Sequence, residues 1–209
     1  MPLVINELPF NTKRGMDHSR TCGKYSLIKQ ASSTTITGEI HKLADSLASC
    51  PPNDIYIVVL KGGFYLASRL MEIGFLEGIN RKIGFVKVES YKGMSPIEPK
   101  LLYGPDLPDS YLDEKVVWLV DDIYDSGATL SLLKEVVLSA GAKEVKTVVL
   151  VERITSKKPQ QHSTMAALLY HGDGWLVGCG MGMEEQFRLL PELCSLAIRE
   201  DKEIDNVSD

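Results

Sequence analysis

The 209-residue chain has little of what marks a membrane, metal or nucleic-acid protein. No apolar stretch reaches the roughly 20 residues that span a bilayer. Residues 1–10 lack the cationic start and apolar run of a secretion signal. There are four cysteines, Cys22, Cys50, Cys179 and Cys194. None forms a Cys-x-x-Cys pair and none joins histidines at zinc spacing, so they read as free thiols of a reducing compartment. The net charge of −5 offers little attraction to a nucleic-acid backbone, although a local cationic pocket for a small anion remains compatible with it. The four histidines, His18, His41, His162 and His171, suggest no nucleophile–base pair. Repeats and low-complexity tracts are missing too. These absences predict a soluble cytoplasmic protein with neither a membrane nor a nucleic-acid partner.

What is present is an ordinary globular composition, 44% hydrophobic and 24% charged. The length suits one domain over 1–209, with a core at about 35–180 and a frayed acidic tail over 200–209. The first thirty or so residues show no clear pattern. Ile36, Ile40, Leu43, Ala44 and Leu47 recur at helical spacing, and Pro51, Pro52, Asn53 and Asp54 end that helix. Residues 55–60 form a short, β-branched apolar run, the pattern of a strand buried on both faces. A helix over 64–73 and a strand over 83–88 follow. The polar stretch 89–114 reads as a long loop, a length at which loops tend to be functional lids. Further strands are expected at 116–120, 145–151, 165–170 and 176–177, with a helix over 127–140 closed by Gly141. Strands alternating with helices predict an α/β fold around a mostly parallel sheet of five strands, with a small hood from the terminal segments. Ligands of such sheets bind beyond the carboxyl ends of the strands, which directs attention to the loops after residues 60, 120 and 151.

The most informative segment is Val116-Val117-Trp118-Leu119-Val120-Asp121-Asp122-Ile123-Tyr124-Asp125-Ser126-Gly127-Ala128-Thr129-Leu130. A buried strand ends in two carboxylates, then a turn of Asp, Ser, Gly and Thr opens a helix. Gly127 permits backbone angles that other residues resist, and successive N–H groups at a helix start can nest an anion. The Lys-Ser/Thr ending of the ATP-type loop is missing. Paired carboxylates beside a phosphate cradle suit a sugar phosphate, whose vicinal hydroxyls they can accept.

This segment resembles the phosphoribosyl pyrophosphate (PRPP) signature of type I phosphoribosyltransferases. The resemblance implies that Asp121 and Asp122 hold the ribose hydroxyls and sit near Mg²⁺, and that Asp125, Ser126, Gly127, Ala128 and Thr129 wrap the 5-phosphate. It also implies that Asp125 is the catalytic acid/base at purine N7.

Four more segments are similar to the hypoxanthine-guanine branch. Leu60-Lys61-Gly62-Gly63 resembles its pyrophosphate loop, in which the peptide before the lysine is cis. Ser90-Tyr91 resembles the pair on its mobile lid. In Leu150-Val151-Glu152-Arg153-Ile154-Thr155-Ser156-Lys157, Arg153 falls on the purine-recognition lysine and Lys157 on a pyrophosphate-binding arginine. A one-residue slip would instead put Glu152 on the base and favour a 6-amino group. In Trp175-Leu176-Val177-Gly178-Cys179-Gly180-Met181-Gly182-Met183-Glu184-Glu185-Gln186-Phe187-Arg188, Trp175 matches the ring that stacks on the purine. Leu176 there offers backbone groups to the base edge, and Arg188 binds pyrophosphate. One departure is Gly182, where the family carries an aspartate that supports magnesium near the purine 2-position; Glu184 and Glu185 are the nearest substitutes.

The resemblance therefore implies a Mg²⁺-dependent purine salvage transferase, acting on hypoxanthine or guanine as a homodimer or homotetramer. The other readings are a transferase for xanthine, adenine or a modified purine, and a nucleotide-binding regulator without catalysis.

Overall fold

The protein is described by a computed structural model covering residues 1–8, 19–73, 81–154 and 162–198. The expected tail and Lys157 lie outside these residues.

The buried apolar runs become the centre of a seven-stranded sheet in the order β1-β9-β8-β7-β4-β5-β6. Its strands are β1 (Leu3–Asn6), β4 (Ile55–Leu60), β5 (Lys82–Lys92), β6 (Ser95–Tyr103), β7 (Val116–Tyr124), β8 (Glu144–Ile154) and β9 (Met165–His171). The five expected strands, β9-β8-β7-β4-β5, run parallel to one another. Two edges extend them: β1 adds parallel to β9, and β6 adds antiparallel to β5. The stretch expected to be a loop is therefore largely a hairpin, β5 turning at Gly93 into β6. β6 carries Pro96 and Pro99, which an edge strand tolerates because one side of its ladder is unpaired.

Both faces of the sheet are covered, which explains why its strands read as continuous apolar runs. Tyr56, Val58, Trp118 and Val120 pack beneath α1 (Ser33–Ala48) and α2 (Phe64–Glu72), while Ile55, Ile57, Val117 and Leu119 pack against α4 (Ala128–Ser139). Ser32 caps α1 by accepting the Thr35 N–H at 3.1 Å, and Ile36, Ile40, Leu43, Ala44 and Leu47 line its buried face, as their spacing predicts. A short helix, α3 (Asp109–Leu112), precedes β7. Along β7 the alternation slips by one residue at the acidic pair: Trp118, Val120 and Ile123 go with one core cluster, and Leu119 and Tyr124 with the other.

The unpatterned N-terminus supplies β1 and two strands of a second sheet. That sheet is antiparallel, in the order β10-β11-β3-β2, and is built from β2 (Ser19–Cys22), β3 (Tyr25–Ala31), β10 (Trp175–Val177) and β11 (Leu193–Ile198). It is the expected hood. In the large sheet, strand order reverses between β4 and β7, so a crevice opens where the loops after these two strands diverge.

Candidate active site

A cleft of about 410 Å³ lies at that crevice, bounded by the loops after β4 and β7, the end of β8, the β5–β6 hairpin and the segment that follows β10. Of the residues expected to form the site, Lys61, Gly62, Ser90, Tyr91, Asp121, Asp122, Asp125, Ser126, Gly127, Thr129, Arg153, Trp175, Leu176 and Arg188 all line it. Ala128, exposed on the first turn of α4, does not.

The cradle follows from Gly127. Its φ of +77° is a left-handed conformation that turns the chain from β7 into α4, and a Cβ there would lie 2.6 Å from the Tyr124 hydroxyl. The Ala128 N–H donates to Ser126 Oγ at 3.3 Å. The turn into α4 lines the cleft through Ser126, Gly127 and Thr129, and a helix N-terminus is a place that favours a phosphate.

Asp121 is buried, and its Oδ1 accepts the Asp122 N–H at 2.9 Å. Burial, reinforced by the neighbouring Asp122 charge, pushes the Asp121 carboxyl well above its ordinary range. Burial also raises Asp122, against the pull of Asp121 and Arg188. Asp122 closes directly on the β4 loop: a Cβ on Gly62 would stand 1.8 Å from its Oδ2. The Leu60–Lys61 peptide is cis, as the resemblance implies.

Of the three cations expected at the pyrophosphate, the two within the described residues, Lys61 and Arg188, share one partner. Glu185 Oε2 accepts from Lys61 Nζ at 2.7 Å and from Arg188 Nε at 3.4 Å. The Lys61 ammonium holds the Glu185 carboxyl below its usual value. Arg188 also donates to the Gly180 carbonyl at 2.9 Å. At Gly182, a Cβ would meet Arg188 Cγ at 2.6 Å, and the Gly182 carbonyl accepts the Trp175 indole N–H at 3.3 Å. Arg188 thus fills the space a side chain at 182 would need. Sequence reasoning named Glu185 only as a stand-in for the missing carboxylate; its ion pairs span 124 and 3 positions of chain.

On the base side, the Tyr91 ring meets Trp175 edge-on, with centroids 5.2 Å apart, and its hydroxyl donates to Asp125 Oδ2 at 3.1 Å. Ser90 and Tyr91 therefore sit on a strand that folds over the cleft rather than in a loop. Burial and then the Asp125 charge raise the Tyr91 phenol. Arg153 is nearly buried. Its Nε lies 3.4 Å from Asp125 Oδ1, its terminal nitrogens donate to the carbonyls of Gly172 and Gly174, and its guanidinium stands over the Tyr170 ring. Successive side chains of a strand alternate faces. Glu152 accordingly lies outside the cleft, bound to the Ser163 N–H and hydroxyl and to His162. Of the two registers the sequence left open, Arg153 is the residue brought to the cleft.

Fold and cleft together define a type I phosphoribosyltransferase. The phosphoribosyl transferase domain family matches residues 39–180, and the chain belongs to that family. It is an enzyme similar to hypoxanthine phosphoribosyltransferases, in a family associated with purine salvage whose members bind PRPP and a base. The hypoxanthine-guanine phosphoribosyltransferase of Leishmania donovani is 28% identical over 145 residues, 69% of this chain and 68% of that protein. The Rattus norvegicus protein of the same name is 28% identical over 152 residues, 68% of this chain and 67% of its own. A crystal structure of a Bacillus anthracis hypoxanthine-guanine phosphoribosyltransferase superposes with a TM-score of 0.66 at 25% identity, covering 81% of this chain and 96% of that one.

Proposed function

We propose that the protein transfers ribose 5-phosphate from PRPP to N9 of a 6-oxopurine, preferring hypoxanthine, and releases pyrophosphate. The observation that carries this reading is Arg153 in the cleft with Glu152 outside it. A guanidinium has five N–H donors and no acceptor, so it favours a 6-oxo group over a 6-amino group at the base edge. Trp175 supplies the ring on which the base stacks, and Leu176 the backbone beside it.

In this reading, the first amides of α4 with Ser126, Gly127, Ala128 and Thr129 hold the 5-phosphate. Asp121 and Asp122 accept the ribose hydroxyls. Lys61, the Gly62 backbone and Arg188 neutralise the pyrophosphate as its oxygen leaves C1. N9 forms the new bond to C1 from the opposite face, and the Asp125 carboxylate accepts the proton from N7. The hairpin carrying Ser90 and Tyr91 excludes water from the activated sugar.

Mg²⁺ fits the site in a limited way. Among the described residues, no group of three or more His, Cys, Asp or Glu side chains is arranged to hold a metal. The hard carboxylate oxygens of Asp121 and Asp122 suit an ion that keeps waters and substrate oxygens as its other ligands. Bound there, Mg²⁺ would supply charge neutralisation to the leaving group.

The test is a panel of hypoxanthine, guanine, xanthine and adenine with Mg²⁺ and PRPP, reading pyrophosphate release. Release with hypoxanthine but not adenine supports the proposal. Preference for adenine overturns the 6-oxo assignment, and release with no purine overturns the purine assignment.

A further inference from the structure

We propose that Glu7 is a positioning residue for the base site, fixing Arg153 through the peptide group between Gly172 and Asp173. The inference deepens the reading in which Arg153 faces the base, and rests on it.

Glu7 follows β1, whose parallel register ends at Asn6 opposite His171; its own N–H continues the ladder to the His171 carbonyl at 2.8 Å. This places the Glu7 carboxylate against the turn 172–174. Its Oε2 accepts the Asp173 N–H at 2.9 Å and the Gly174 N–H at 3.3 Å. The carbonyls of Gly172 and Gly174 meanwhile hold the two terminal nitrogens of Arg153. One peptide unit is therefore bonded at both ends: its N–H to the Glu7 anion, its carbonyl to the Arg153 cation. Each bond polarises the peptide in the sense that strengthens the other.

The turn is shaped for this approach. A Cβ at Gly172 would lie 2.4 Å from Glu7 Oε2, and one at Gly174 would lie 2.1 Å from Oε1. The next residue is Trp175, so the same carboxylate anchors the strand that carries the stacking ring. The adjoining Leu8 N–H bonds to Gln30 at 2.9 Å, and Gln30 to Ser195 at 2.8 Å, tying this corner to the hood. With Arg153 held on one side by these carbonyls and on the other by Asp125, loss of Glu7 loosens the base-facing cation and leaves in place the turn 126–129 that starts α4, which Glu7 does not contact.

The experiment compares Glu7→Gln and Glu7→Ala with wild type in the full chain, varying PRPP and base separately. The base is hypoxanthine, or whichever purine the wild-type enzyme uses best. Glu7→Ala is expected to raise KM for the base about 10-fold or more, the scale of hydrogen bonds to a charged acceptor, while KM for PRPP stays within about twofold. Glu7→Gln keeps one acceptor oxygen without the charge and is expected to fall between Glu7→Ala and wild type. Unchanged base KM in both variants overturns the inference, and so does an equal loss toward PRPP and base, which would mark a purely structural role. A wild-type enzyme that prefers adenine would refute the base reading alone, since the split between base and PRPP is still read on adenine.

Discussion

Replacing Asp121 with Asn should make the substrate-free protein more stable and a poorer PRPP binder. Asp121 is buried beside Asp122, and the described hydrogen bond to its carboxylate is one backbone N–H. Taking a carboxylate out of water costs several kcal/mol in a real protein, and one hydrogen bond to a charged acceptor returns about 1.5–3 kcal/mol, so a deficit of about 1–2 kcal/mol remains. Asn keeps an acceptor oxygen for the Asp122 N–H and removes the charge. The expected gain of about 1–2 kcal/mol corresponds to about 2–8 °C in Tm for a chain of this size. The pH dependence has a definite sign. The Asp121 pKa is raised in the folded state. Its contribution to stability is therefore fully present below the ordinary carboxylate value of about 3.9 and is lost as pH rises through the higher folded value. The Tm advantage of Asp121→Asn should be small near pH 4 and grow toward neutrality. Differential scanning calorimetry of both proteins from pH 4 to 8, without PRPP, measures it. A variant less stable than wild type at pH 7.5, or a Tm difference independent of pH, would refute the reasoning.

The loop facing Asp122 leads to a second expectation. Gly62→Ala places a Cβ 1.8 Å from Asp122 Oδ2, so the acid pair must shift; stability should fall by about 1–3 kcal/mol and kcat/KM for PRPP by about 100-fold, readable by urea denaturation and steady-state kinetics. Tyr91→Phe keeps the ring on Trp175 but removes the hydroxyl that holds Asp125; with about 1 kcal/mol less holding the hairpin down, KM for the base should fall about fivefold. A rise in that KM would show instead that the hydroxyl serves the bound state.

The centre of the fold was legible because its strands are buried on both faces. Ile55–Leu60 is bounded as its apolar run suggests, and α2 and α4 start and stop close to their expected ends. The cradle was legible because its chemistry is local, within nine residues of β7 and the turn after it. The hairpin was not. β6 is largely exposed, carries two prolines and lacks a two-residue alternation, so only its pairing with β5 makes it a strand. β1 and β2 are four residues each, too short to leave a period; β2 pairs with the adjacent β3, whereas β1 is defined by β9, far away in sequence. The same reason hides the side-chain partners of the site. Glu185 reaches Lys61 across 124 positions, and Glu7 reaches Asp173 across 166. A carboxylate whose role depends on which loop lies beside it leaves no mark in a single sequence.

The distribution of charge in the cleft bears on how it works. Three cations of the cleft are already engaged by the chain: Lys61 and Arg188 by Glu185, and Arg153 by two carbonyls and Asp125. In the proposed reading, a pyrophosphate competes with Glu185 for Lys61 and Arg188, and the exposure of Glu185 keeps that exchange inexpensive. Gly182 belongs to the same balance. Arg188 packs where a side chain at 182 would stand, and the Gly182 carbonyl is taken by Trp175. Glu185, three residues along the chain from Gly182, places its carboxylate against the two cations Lys61 and Arg188. Asp121 and Asp122 bring two carboxyls together at the end of β7, and burial raises both. In the proposed reading, the ribose hydroxyls of PRPP and a divalent cation meet this pair while the 5-phosphate takes the cradle beside it.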